Sequence, residues 1–265
     1  MLLAQMVAFH EVKAGNPELD WEDSAAFDTG DPTRGISARC VVVDGATEAF
    51  DSIRWAGQLV SSFVGVDDDP QPGIDRDALP EWFRQMQRRW RDESPTCTSP
   101  FEAERMRRQG SFATLLGCEL HLDGGEPHWN AVALGDAVLF HVRGTILCTQ
   151  FPALTQADFG LNPDGMSTQP VQLDRMIRSV RIKSGGLGAG DLLFLATDAL
   201  AEWIVRETTA EGSGPWSMLA GIGHPVQFAA MVHQLRAAGA MKNDDVTLLR
   251  VRMTAREPDL LAVCR

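Results

Sequence analysis

Short apolar runs closed by Gly, Asp or Asn alternate along this chain with longer stretches whose apolar residues recur every three to four positions. The first kind covers Ala38 to Val43, Phe112 to His121, Asn130 to Leu134, Ala137 to Val142, Asp191 to Thr197 and Val246 to Met253. Their lengths and turn-residue boundaries predict β-strands. The N-terminal run Met1 to Phe9 reads as a further, first strand. Helical periodicity runs through Phe50 to Val64, Asp77 to Arg91, Phe101 to Arg108, Leu200 to Arg206 and Val226 to Ala238. Helices thus come in blocks between runs of strands, the order of a layered α+β fold. Two stretches rich in Pro, Gly and Asp, Asp67 to Asp75 and Phe151 to Pro170, are expected as long loops. Neither a repeat nor a linker divides the chain, so residues 1–265 are read as one domain.

In the second helical stretch Trp82, Met86 and Trp90 recur every four residues, a spacing that makes a core-facing stripe. Arg84, Arg88, Arg89 and Arg91 then face outward and, with Arg105, Arg107 and Arg108 nearby, form a local basic cluster. Such a cluster is either a solvated helix face or a surface for a phosphorylated or acidic partner.

Composition narrows the function. The 265 residues are 44% hydrophobic, enough for one large packed core, and carry a net charge of -12. That excess of acid argues against a nucleic-acid partner, whose phosphates need basic contacts. The first run lacks a basic leader and soon reaches His10, Glu11 and Lys13, unlike a secretory signal. Asp136 interrupts the longest apolar candidate, short of the roughly 18 to 20 residues a bilayer crossing needs. A soluble, cytoplasmic protein without membrane partners is expected. Cys40, Cys97, Cys118, Cys148 and Cys264 are widely spaced without a C-x-x-C pair and read as reduced core thiols.

The chemistry lies in acids at strand ends. Cys40-Val-Val-Val-Asp44-Gly45 and Leu192-Leu-Phe-Leu-Ala-Thr-Asp198 end in aspartate, and Asn243-Asp244-Asp245-Val-Thr-Leu-Leu begins with it. A third strand antiparallel to the other two would bring all three acids to one rim. Carboxylates so placed repel one another, and a hard divalent cation relieves the conflict. Oxygen ligands suit Mg²⁺ or Mn²⁺, and because no His or Cys lies close by these acids in the motifs, zinc is disfavoured.

Together, Trp21-Glu22-Asp23-Ser24, Val43-Asp44-Gly45, Gly135-Asp136, Ala196-Thr197-Asp198 and Asp244-Asp245-Val246-Thr247, with Ser111-Phe-Ala-Thr-Leu-Leu between them, resemble the PP2C (PPM) phosphatases, particularly the compact bacterial ones. The resemblance spans nearly the whole chain. It implies a four-layer α/β/β/α sandwich, two antiparallel sheets with helices on both outer faces. It implies Ser/Thr protein phosphatase activity by direct attack of a water or hydroxide bridging two Mn²⁺ or Mg²⁺ ions. Asp44 would bridge both ions, Asp198 and Asp244 would complete the first, and Glu22 with the Gly45 carbonyl the second. Asp23 would orient water from behind, and Asp136 would join Asp198 at a third metal position. A monomer acting on a phosphorylated protein, opposed by a Ser/Thr kinase, completes the expectation.

The pattern is departed from in three places. Where many members carry a phosphate-clamping Arg this chain has Glu18, so Lys13, Arg34 and Arg39, which flank the first two motifs, become candidate phosphate ligands. Ala46 and Thr47 follow Asp44-Gly45 where some members place a His, and Ala199 replaces a usual Gly, a change that matters only if the position needs φ > 0. The alternative function is a catalytically weak PP2C-like module that binds phosphoproteins in signalling. A nucleotide site at Gly185-Gly-Leu-Gly-Ala-Gly190 is a poorer reading, because these glycines precede a strand instead of joining strand to helix. His121, His128 and His224 lack metal-ligand spacing and read as structural.

Overall fold

A computed structural model describes residues 2–66, 71–93, 97, 99–160 and 163–255, apart from the Arg105 side chain. Cys264 and the start of the Asp67 to Asp75 loop lie outside the described residues, and of the expected core thiols Cys40 and Cys118 are buried whereas Cys97 is half-buried and Cys148, on the edge strand β8, is exposed. The elements are β1 (Leu2–Glu11), β2 (Asp23–Thr29), β3 (Ala38–Asp44), α1 (Ser52–Val64), α2 (Leu79–Asp92), α3 (Pro100–Gln109), β4 (Phe112–Ala113), β5 (Leu115–His121), β6 (His128–Leu134), β7 (Val138–Arg143), β8 (Ile146–Phe151), β9 (Met166–Ser167), α4 (Leu173–Ser179), β10 (Arg181–Gly186), β11 (Asp191–Ala196), α5 (Asp198–Glu207), α6 (Trp216–Gly221), α7 (Pro225–Ala237) and β12 (Val246–Ala255). Every expected strand and helix is present within a few residues. The expected Phe112 to His121 strand is divided at Thr114, and its first part pairs with β9 inside what was read as a long loop.

Two five-stranded sheets, ordered β1-β12-β11-β7-β8 and β10-β6-β5-β3-β2, face each other. All pairings within them are antiparallel. Alternation along the strands explains the layers. In β3, Cys40 and Val42 join Leu116, Cys118, Leu195 and Leu249 between the sheets, while Val41 and Val43 turn outward to Trp55, Leu59 and Phe63 of α1 and Trp82 of α2. In β11, Leu193 and Leu195 point inward, whereas Phe194 and Ala196 meet Leu200, Ile204, Trp216 and Phe228 of α5, α6 and α7. Strands buried on both faces read as unbroken apolar runs, hence their legibility. The result is the expected α/β/β/α sandwich.

The Trp82, Met86 and Trp90 stripe is buried. Arg84 and Arg88 share Glu81, Arg89 pairs with Glu93 and Arg107 with Glu104, so those arginines make a solvated face paired with nearby acids. Gly117 lets α1 approach: a Cβ there would lie 2.3 Å from the Phe63 ring. Gly185 ends against Trp129 within β10, a packing role and not a phosphate loop. Among the described residues no helix is long and apolar enough to cross a membrane.

Candidate metal centre

One rim of the sandwich collects the acids. The end of β3, the start of β2, the β6–β7 turn, the end of β11 and the start of β12 all meet there. Asp23 and Asp44 are direct cross-strand partners in the β2/β3 pair. β12 runs antiparallel to β11, which brings its start beside Asp198, but β3 belongs to the opposite sheet. The convergence is therefore across the sandwich and not along one sheet. The β6–β7 turn passes from one sheet to the other at this rim and carries Asp136. Gly135 there has φ +120°, and a Cβ on it would meet the Thr114 side chain at 2.5 Å.

Asp44, Asp136, Asp198 and Asp244, with Gly45, line one cleft of about 160 Å³ that contains neither His nor Cys. Gly45 is drawn against Glu22: its amide donates to the Glu22 carbonyl at 3.2 Å, and a Cβ would sit 2.6 Å from that oxygen. Glu22 lies beside the cleft, its carboxylate accepting from the Ser52 hydroxyl at 2.7 Å. Asp23 is buried behind Asp44, and its Oδ2 accepts from Thr197 at 2.9 Å and Thr247 at 2.7 Å. Asp245 does not face the cleft. It accepts the backbone amides of Lys13 at 2.7 Å and Glu22 at 2.6 Å, which ties the first motif to the last.

The electrostatics show an unmet demand for positive charge. Burial first, then Asp23, Asp198, Asp136 and Asp244, push the Asp44 carboxyl well above the usual range. Burial also lifts Asp136 to about 7, with Asp198 adding to it. Asp23 rises to about 8, because burial together with Asp198 and Asp245 outweighs its two threonine hydrogen bonds. Asp136 Oδ1 and the neighbouring Thr114 Oγ1 are buried without a hydrogen-bond partner. Among the described residues the cation that reaches these acids is Lys242, whose Nζ contacts Asp198 Oδ2 and lies 3.3 Å from Asp244 Oδ2.

These residues fit a hard divalent cation in chemistry: an all-oxygen donor set, an orphaned carboxylate oxygen and an ammonium already drawn to the acids. In arrangement, no group of three or more His, Cys, Asp or Glu side chains among the described residues is yet disposed to hold an ion. Asp198 and Asp244 are instead turned to Lys242.

The three candidate phosphate ligands are not gathered with the acids. Arg39 is fully buried, with its guanidinium on Glu119 and the Phe63 and Pro72 carbonyls. It stands five residues from Asp44, roughly 16 Å along the strand. Arg34 donates to the same Pro72 carbonyl at 3.4 Å, and the Lys13 backbone serves Asp245. None of the three lines the cleft. Glu18 is exposed, 3.8 Å from His10. Ala199 lies inside α5, and among the described residues Asp51 is the only non-glycine with positive φ, so the loss of a glycine there costs nothing. Lys242, Ser52 and the two threonines received no role from the sequence. Lys242 stands two places before Asp244, and only the fold reveals that its side chain bends back to the acids.

No protein-family model matches the sequence, and no curated protein does. Solved structures do match in fold. The catalytic domain of the serine/threonine protein phosphatase PstP, in complex with two manganese ions, is 16% identical over 96% of this chain and 100% of that one, with a TM-score of 0.58. A bacterial serine phosphatase is 12% identical over 97% and 100%, with a TM-score of 0.60. The serine/threonine phosphatase of S. agalactiae is 11% identical over 94% and 99%, with a TM-score of 0.59. Matched end to end by these domains, and built of the same two sheets between two helical layers, the chain has the PP2C phosphatase fold.

Proposed function

We propose that the protein is a metal-dependent serine/threonine protein phosphatase that hydrolyses phosphomonoesters at the acidic rim. The observation that carries this reading is the meeting of Asp44, Asp136, Asp198 and Asp244, from both sheets, in one cleft with Lys242 as their cation. A fold needs no such crowding, since each uncompensated buried carboxylate costs on the order of a kcal/mol or more. Mn²⁺ or Mg²⁺ bound there would supply positive charge that attracts phosphoryl oxygens and raises the acidity of water.

Asp44, Asp198 and Asp244 would hold one ion, and Asp44, Glu22 and the Gly45 carbonyl a second, in keeping with the two manganese ions of the PstP domain. Asp136 with Asp198 would serve a third. Asp23, locked by the Thr197 and Thr247 hydroxyls, lies across the strand pair from Asp44 and would orient water beside the ions. Ser52 fixes the Glu22 carboxylate, and Asp245 fixes its backbone. Since Arg39 is committed elsewhere and none of the three candidate cations lines the cleft, phosphate binding there would fall mostly to the ions.

The test is hydrolysis of p-nitrophenyl phosphate and of a phosphoserine or phosphothreonine peptide by purified protein. Turnover is expected with Mn²⁺ or Mg²⁺ and none with excess EDTA. Turnover that survives thorough chelation, or its absence with every divalent ion while the fold is intact, would overturn the reading, the second outcome in favour of a binding module.

A further inference from the structure

The segment from Ala240 to Asp244, which links α7 to β12, is held at both ends. Arg206 donates to the Ala240 carbonyl and Arg236 to the Asp244 carbonyl, while Met241 is buried in the core. Lys242 is thereby aimed at the cleft, with its side chain one-third exposed (33%) and its ammonium on Asp198 and Asp244. These are two of the acids that would hold the first ion.

We propose that Lys242 is a built-in competitor for the first metal position, an internal cation that must withdraw from Asp198 and Asp244 before a divalent ion can be held there. This rests on the metal-centre reading above and adds to it a residue that sets the metal affinity. Stabilising a metal-free arrangement lowers affinity by the free energy of the contact that must break. The four-carbon stem and partial exposure of Lys242 allow the ammonium to swing to solvent, so the effect is a threshold and not a block.

The experiment is calorimetric titration of Mn²⁺ into the full chain, stripped with EDTA and dialysed, for wild type, Lys242→Met, Lys242→Gln and Lys242→Arg. Both neutral variants are expected to bind the first ion about tenfold tighter or more, which corresponds to ~1.4 kcal/mol. Lys242→Arg, which keeps the charge, should bind no tighter than wild type. Adding Asp198→Asn to Lys242→Met should abolish the gain, since the competition is for that carboxylate. Thermal unfolding supplies a second readout: without metal Lys242→Met should melt below wild type, and saturating Mn²⁺ should raise its Tm by more. Equal or weaker Mn²⁺ affinity in both neutral variants, with wild type still binding, would remove the competitor role and leave the metal centre standing. No Mn²⁺ binding by any form would refute the metal centre itself and reduce Lys242 to a structural ion pair.

Discussion

Strand β11 has an aspartate at its start, Asp191, and another just past its end, Asp198, and the two rims of the sandwich treat them in opposite ways. Asp191 is fully buried, yet Arg143 at 2.8 Å, His141 at 3.0 Å and the Gly188 amide at 2.8 Å surround it. Burial would raise it, but these partners prevail and hold it down at about 2. Arg39 and Glu119 are paired on the same side of the sandwich. At the other rim burial wins: Asp44, Asp136 and Asp198 are all pushed up, and Lys242 is the cation among them. A buried acid that brings its own partners is part of the structure, whereas a buried acid without them waits for a ligand. Substitutions at the two rims should therefore separate activity from stability.

The largest effect is expected at Asp44. Asp44→Asn keeps the shape, removes the charge shared by both proposed ions, and should lower kcat by at least two to three decades, roughly 3 to 4 kcal/mol of transition-state stabilisation. Asp136→Asn, at the proposed third position, should cost less. Circular dichroism should show both folds intact, and near-normal turnover of Asp44→Asn would break the contrast from the acidic side.

Next comes the opposite rim. Asp191→Asn strips the charged partner from His141 and Arg143 and should destabilise the protein by about 2 to 3 kcal/mol, read by urea unfolding. Specific activity of the folded protein should stay within about twofold, because no group here touches the cleft.

The acids as strand termini were legible in the sequence because β3, β11 and the first half of β12 are buried and read as short, mostly apolar runs that end or begin at Asp, although Arg250 and Arg252 interrupt β12 further on. Less legible were β2, β8 and β10, edge or half-covered strands in which Asp28, Thr149 or Gly185 breaks the apolar pattern. Spacing could not tell that β3 lies in the other sheet from β11, since that depends on the three crossings β6–β7, β8–β10 and β10–β11. Nor could it tell that Arg39 faces α1, with its guanidinium 5.4 Å from the Phe63 ring centre. Nearness to a motif in sequence placed Arg39 among the phosphate ligands; one strand length of backbone carries it to the far rim. Lys242 escaped notice for the converse reason, its role being set by where a flexible side chain turns.

A smaller effect should appear in the pH dependence of metal-free stability. Burial pushes the Asp136 carboxyl up to about 7 in the folded protein, against about 3.9 in an unfolded chain. The folded state holds this proton more tightly, so the contribution is full below about pH 4 and is lost as pH rises through 7. In EDTA, wild type should lose on the order of 2 to 4 kcal/mol relative to Asp136→Asn between pH 4 and 8. Denaturant curves across that range would show the gap, and Mn²⁺ should close it. A constant gap would mean that Asp136 is neutralised within the protein, as Asp191 is.

The contrast between the rims is tested most directly by counting the ions bound. Calorimetric titration of Mn²⁺ into metal-stripped wild type, Asp44→Asn and Asp191→Asn should give at least two ions per chain for wild type and for Asp191→Asn, and one or none for Asp44→Asn. A wild type that binds no ion, or an Asp44→Asn protein that binds as many as wild type with the same affinity, would contradict the account.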